Sequence, residues 1–234
     1  MTDQDNAKRP GFACHSLIRD LGMTVLVLAL LFIVGGSIRW VNLWVFALLT
    51  VSYLGVNSAV LYKYNPGLLV ARGRILQKDT KPFDRFFVLI VIPLTVITYL
   101  VMALDHRWGW SSMPVWLNLA GVALFIPAGV LGLWAMAVNR HFEFTVRIRT
   151  DGSQQVVSSG PYRFVRHPGY LAGLISGASY PLILGSWVGF APTSLYFALF
   201  IVRTALEDRA LRQELPGYQQ YAATTKARLL PGVW

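Results

Sequence analysis

Charge is what this sequence has least of. Only 32 of its 234 residues are Asp, Glu, Lys or Arg, 14% against roughly 25% in an ordinary soluble domain. With 55% of residues hydrophobic, that deficit excludes an ordinary soluble globule, and it excludes intrinsic disorder as well. Cysteine is nearly absent: the single Cys14 permits no internal disulfide and no cysteine-based zinc cluster. The four histidines, His15, His106, His141 and His167, show no close ligand spacing, so no metal is expected. Internal repeats and low-complexity segments are missing too. None of the 11 acidic residues falls in a long apolar run, and no half-sequence symmetry is visible, which argues against a transporter.

Long uncharged runs are what the chain has instead. They cover 21–38, 40–62, 86–104, 108–139 and 168–202, and about 20 apolar residues suffice to cross the hydrocarbon core. The last run would be about 52 Å long as one helix, so it reads as two shorter helices turning near Gly185–Gly189. The expected spans are 21–37, 41–62, 86–104, 115–138 and a final pair within 168–202. The fold class is therefore an all-α integral membrane protein of about six transmembrane helices, the last two a helical hairpin.

The net charge of +10 would suggest nucleic acid in a soluble chain, but here it reads as topology. Nineteen of the 21 Lys and Arg lie in 1–20, 63–85, 140–166 and 203–228, and only Arg39 and Arg107 lie elsewhere. These alternate connections share one side, which the positive-inside bias makes the cytoplasm, with both termini there. No nucleic-acid partner is expected, and membrane lipids are. The first apolar run follows about 20 polar residues without a small-residue cleavage site, so it reads as a retained span.

Local signals refine this outline. A short helix is expected over Ser16–Asp20 and another over Leu68–Arg72. Trp40 with Trp44, and Trp108 with Trp110, read as interfacial belts. Beyond Arg203 the pattern becomes an amphipathic cytoplasmic helix to about Leu215, then a second helical stretch near Tyr218–Lys226. The chain reads as one membrane domain over 1–234, with an N-terminal span pair in 1–62.

Three segments carry candidate chemistry. In Arg163-Phe164-Val165-Arg166-His167-Pro168-Gly169-Tyr170, a cation and an imidazole enter a helix whose first residue is Pro, and free backbone N–H groups there could take an anion such as a carboxylate. Alternatively the arginines snorkel to headgroups. Glu207-Asp208 is a rare acidic pair beside a membrane exit, suited to a cationic ligand. Glu207 shares a helix face with Arg203, so a local salt bridge is the plainer alternative. In the tail, Tyr218 and Tyr221 precede Arg228 and Trp234; the aromatic residues could simply pack at the interface.

Taken in order, Arg166-His167-Pro168-Gly169-Tyr170, Glu207-Asp208, Gly217-Tyr218 with Tyr221, and Arg228-Leu229-Leu230-Pro231 resemble the isoprenylcysteine carboxyl methyltransferase family, with phospholipid N-methyltransferases as distant relatives. The similarity extends through Asn139 and Val156–Tyr162, and to Asn65-Pro66. It makes 63–234 the family-like catalytic region, with the cofactor site in 139–234. The resemblance implies S-adenosylmethionine as cofactor, held by Arg166, His167, Tyr170, Glu207, Tyr162, Tyr218 and Tyr221. Of the acidic pair, commonly Glu-Glu in the family, the shorter Asp208 is given no firm role here.

Such a site needs both charge signs: Glu207 for the ammonium, and Arg166, His167 or backbone N–H groups for the carboxylate. Arg228 or Arg203, with His167, would act on the acceptor, the arginines orienting a carboxylate. The resemblance implies methyl transfer to a lipophilic or prenylated acceptor at the cytoplasmic face. Phospholipid amine N-methylation and small-thiol S-methylation remain alternatives. A non-catalytic lipid-binding protein with a polybasic face is the alternative of another class, and cofactor binding separates the two.

Overall fold

The computed structural model describes residues 10–71, 80–143, 145–148 and 154–234. Among them, regular structure is entirely helical: α1 (Pro10–Gly35), α2 (Val41–Tyr64), α3 (Pro66–Ala71), α4 (Pro82–Trp108), α5 (Val115–Val138), a 3-10 turn (Gly160–Arg163), α6 (Pro168–Leu184), α7 (Phe190–Glu214) and α8 (Tyr218–Thr224). Four of these helices are long and apolar enough to cross a membrane, over His15–Gly35, Val41–Tyr64, Pro82–Trp108 and Val115–Val138. Their outer faces stay bare of protein, with Leu26 62% and Leu48 69% exposed. Apolar side chains on that scale need a nonaqueous solvent.

Helices α6 and α7 form the expected hairpin. Gly185, at φ 79°, ends α6 in the left-handed conformation that a side chain resists. At 17 and 25 residues, α6 and α7 are about 26 and 37 Å long. Helix α6 packs most extensively on α5, and Gly121 lets the backbones meet: a Cβ there would sit 2.7 Å from Leu182 Cβ and 2.8 Å from Ile183 N.

Three local expectations change. Residues 16–20 are no separate helix; they continue α1 without a break, because nothing between Pro10 and Gly35 interrupts the helical backbone. Likewise α7 runs through Arg203 to Glu214, since no Pro or Gly occurs between Pro192 in its first turn and Pro216-Gly217. Arg203 can remain inside the protein because Asp84, in the first turn of α4, is its counter-ion. Trp40 is buried and stacked on His106 at 4.1 Å rather than placed in an interfacial belt, whereas Trp44, Trp108 and Trp110 are exposed. The expected Leu68–Arg72 helix is observed as Pro66–Ala71; Arg72 lies outside the described residues.

A cleft and a chamber that meet at Phe142 and Gly169

The tail of the chain builds one end of the bundle. Tyr162, Leu215, Tyr218, Tyr221 and Ala222 form an apolar cluster against Ala135 of α5. The segment after α8 folds back over the mouth of α6: Arg166 N donates to Ala227 O at 2.9 Å and His167 N to Arg228 O at 3.0 Å. Of the backbone N–H groups at this mouth, those of Arg166 and His167 are thus paired with the tail.

Asp208 is the hub of the arrangement. Its carboxylate accepts from Arg166 Nε (2.7 Å) and Nη2 (3.1 Å), from Arg228 Nε (3.1 Å), from Arg212 Nε (3.1 Å) and from the Tyr218 hydroxyl (3.0 Å). His167 Nε2 lies 3.5 Å away. Arg166 also donates to the Thr225 and Lys226 carbonyls, so each of its three nitrogens has a partner. Burial by itself would raise the Asp208 pKa, but the nearby His167 imidazole and hydrogen bonds from Arg166 and Arg228 hold it far below the usual carboxylate range.

Above this hub opens a cleft of about 120 Å³, partly open to solvent. All seven residues expected at a cofactor site line it: Tyr162, Arg166, His167, Tyr170, Glu207, Tyr218 and Tyr221. The Tyr170 hydroxyl donates to Glu207, and the Tyr170 ring stacks parallel to His167 at 5.6 Å. Tyr162 accepts from Asn139 Nδ2 at 3.0 Å, and its carbonyl accepts from the Tyr221 hydroxyl at 2.7 Å. Burial pushes the phenols of Tyr162 and Tyr218 well above their ordinary pKa. It pushes Tyr221 up to about 12, against the opposing pull of Arg166.

The arginines expected to orient an acceptor do not line this cleft. Arg203 is buried against Asp84 at 2.7 Å, with its guanidinium over Phe87 (4.3 Å) and Tyr170 (5.0 Å). Arg228 is occupied by Asp208 and stacks on Trp234 at 4.8 Å. Arg203 thus sits behind Tyr170 of the cleft wall, and Arg228 against Asp208.

A second cavity, about 380 Å³, lies deeper among α2, α4, α5, α6 and α7. Small residues on α5 and α6, among them Gly129, Gly132, Gly173 and Gly177, leave its space open, and aromatic side chains form its walls. The cleft and this chamber share two residues, Phe142 and Gly169. A Cβ on Gly169 would sit 2.8 Å from the Phe142 ring, so glycine is what allows this wall to be thin.

With this geometry the comparisons agree. Residues 121–213 match the model of the isoprenylcysteine carboxyl methyltransferase (ICMT) family. Across this segment the chain is similar to that family. The overall fold is similar to that of the eukaryotic intramembrane Ras methyltransferase ICMT, with a TM-score of 0.54 and 18% identity over 92% of this chain and 75% of that one.

Among curated relatives, the chain is 29% identical over 138 residues to the cobalt-zinc-cadmium resistance protein CzcN of Cupriavidus metallidurans, covering 56% of this chain and 59% of that protein. It is 26% identical over 99 residues to the uncharacterized protein YpbQ of Bacillus subtilis, covering 42% of this chain and 57% of the relative. The matches thus span under two thirds of either relative's length. The family segment contains Arg166, His167, Tyr170, Glu207 and Asp208, and so the hub, the cleft floor and the thin wall at Gly169.

Sequence reasoning gave too little weight to three groups. Asp208 was given no firm role, yet it holds the site together. Asp84 received no role, although an acid two residues after a helix-initiating Pro signals a first-turn position. Its Oδ2 also accepts from Val146 N at 2.7 Å, tying the 145–148 segment to α4. Asn65 is buried and donates to the carbonyls of Met136 (2.8 Å) and Asn139 (2.9 Å), fixing the end of α5 beside the cleft.

Proposed function

We propose that this chain is an S-adenosylmethionine-dependent membrane methyltransferase that transfers a methyl group to a lipophilic acceptor at the cytoplasmic boundary. The reaction most like it is carboxyl O-methylation of a prenylated cysteine. The observation that carries this reading is the meeting of a charged, tyrosine-walled cleft and an apolar intramembrane chamber at Phe142 and Gly169. A polar nucleotide cofactor and a lipid tail need opposite solvents, and this arrangement offers both within reach of one point.

The cleft's donor set suits the cofactor. Glu207, oriented by Tyr170, would hold an α-ammonium group. The buried His167 Nε2 has no hydrogen bond of good geometry and would face a carboxylate. When bound, S-adenosylmethionine supplies a methyl group on a positively charged sulfur, so transfer needs an aligned lone pair on the acceptor rather than a strong base. The protein's contribution is then positioning and exclusion of water. Phe142 and Gly169 would set the approach line between the two compartments, and Arg166, locked to Asp208, would keep the mouth of α6 in register.

In this reading the four long apolar helices and the α6–α7 hairpin make six membrane passages, with the basic loops and both termini in the cytoplasm. The whole chain acts as one domain, with the N-terminal span pair in 1–62 packing against the catalytic region in 63–234. Purified protein in lipid nanodiscs should bind S-adenosylmethionine by titration calorimetry. It should also move the methyl label from cofactor to at least one of a prenylcysteine, an aminophospholipid or a small thiol. Absence of cofactor binding would leave a lipid-binding membrane protein as the better description.

A further inference from the structure

The deep chamber is apolar in outline, yet it carries many hydroxyl groups. Most are satisfied within the protein. Thr50, Thr95, Thr98 and Thr193 each donate to the carbonyl one turn earlier in their own helix. The Tyr53 hydroxyl accepts from Asn57 Nδ2 at 3.3 Å.

Three phenols differ. The hydroxyls of Tyr99, Tyr180 and Tyr196 make no hydrogen bond to any described residue, although all three side chains line the chamber. Their rings are held in place: Tyr99 packs nearly parallel to Tyr180 at 6.2 Å, Phe46 meets the Tyr180 ring edge-on at 5.4 Å, and Tyr196 packs on Phe200 at 4.4 Å. The three phenols come from α4, α6 and α7, so three different helices bring O–H donors to one space. A hydrocarbon tail would leave each donor unpaired at membrane depth, which is costly.

Resting on the reading of this chamber as a lipophilic acceptor's site, we infer that the acceptor's buried part is not the plain hydrocarbon of a prenyl chain but carries an oxygen acceptor, a carbonyl or ether. It sits on a ring or an unsaturated segment that packs between the tyrosine faces. A saturated hydrocarbon chain fills the same volume but forgoes the three donors. The chamber thus selects by oxygen content as well as by apolarity. Removing one donor hydroxyl removes part of that selection without changing the shape of the wall.

The test uses the full chain in nanodiscs and needs no turnover. A tritiated long-chain alkyl phenyl ketone and the alkylbenzene of matched length are compared by equilibrium binding. The ketone should bind about tenfold more tightly. Tyr180→Phe should lower ketone affinity severalfold while leaving the alkylbenzene unchanged, with unaltered thermal unfolding as the folding control. If Tyr180→Phe does not fold, Tyr196→Phe serves in its place.

Equal binding of the two probes, binding of neither, or a ketone preference untouched by the Tyr→Phe variants would overturn the proposal. Parallel titration with S-adenosylmethionine separates this from the methyltransferase reading. Cofactor binding without ketone preference removes only the chamber proposal, whereas ketone preference without cofactor binding removes only the enzyme reading.

Discussion

Replacing Asp208 by Asn should do more damage to the fold than any other single loss of charge at the cleft. The substitution keeps the side chain's size and one acceptor oxygen but removes the anion facing Arg166, whose side chain is 2% exposed and pairs with a carboxylate that is 1% exposed. Breaking a buried pair by removing one partner costs about 3–5 kcal/mol. Arg166 keeps its bonds to the Thr225 and Lys226 carbonyls, which puts the expected loss at the lower end, about 3 kcal/mol. Arg212 and Arg228 are 41% and 31% exposed, so water screens their share and nothing is added for them.

For a chain of this size, about 3 kcal/mol corresponds to a fall in Tm of roughly 6–12 °C. Thermal unfolding in one detergent at neutral pH measures it, with Asp20→Asn as the control. Asp20 pairs with Arg19 in a half-exposed surface bridge, where the loss should be below about 1 kcal/mol. If the two variants unfold at the same temperature, Asp208 is not the hub described above.

Further outcomes follow from the same geometry. Glu207→Gln should weaken S-adenosylmethionine binding more than tenfold while leaving Tm close to wild type, a split that calorimetry and thermal unfolding read together. Gly121→Ala should destabilise by about 1–3 kcal/mol through overpacking at the α5–α6 contact, where Leu182 and the Ile183 backbone leave no room for a methyl group; unchanged unfolding would mean the helices separate freely. Asp208 has a depressed folded-state pKa, so its contribution is fully present above the unfolded carboxylate value of about 4 and is lost only as pH falls below it. Tyr162, Tyr218 and Tyr221 are shifted upward, so theirs is fully present below about pH 10 and is lost as pH rises beyond it. Unfolding followed from pH 4 to 11 should show a broad plateau with an alkaline fall; a sharp loss of stability between pH 5 and 7 would contradict this.

The helical skeleton was legible because membrane insertion leaves a coarse signal. Uncharged runs and their basic flanks need no tertiary knowledge, and Gly185 ends α6 for a reason local to its own backbone. What the runs could not show was continuity across charge. Arg203 marks the end of an uncharged window, but α7 passes through it because Asp84, 119 residues earlier, neutralises it. The misreading of Trp40 has a similar origin: a tryptophan at a membrane boundary looks the same in sequence whether it faces lipid or, as here, stacks on His106 from another helix.

Site composition was legible for a different reason. An ordered set of motifs named all seven cleft-lining candidates, but it did not say which of them face a ligand and which hold one another. Arg166 illustrates the distinction. As a sequence feature it is a cation at a helix mouth and suits an anionic ligand, yet its nitrogens are taken by Asp208 and by carbonyls about 60 residues downstream. The tail that supplies those carbonyls also pairs with the N–H groups of Arg166 and His167, so the mouth of α6 is set by the end of the chain. It follows that Glu207 and Asp208, adjacent in sequence, divide the work: Asp208 turns into the protein and assembles the floor, while Glu207 lines the cleft with Tyr170. A one-carbon difference between the two side chains fits that division, because the inward carboxylate has to sit against guanidinium groups already fixed by the backbone, whereas the outward one must reach into open space.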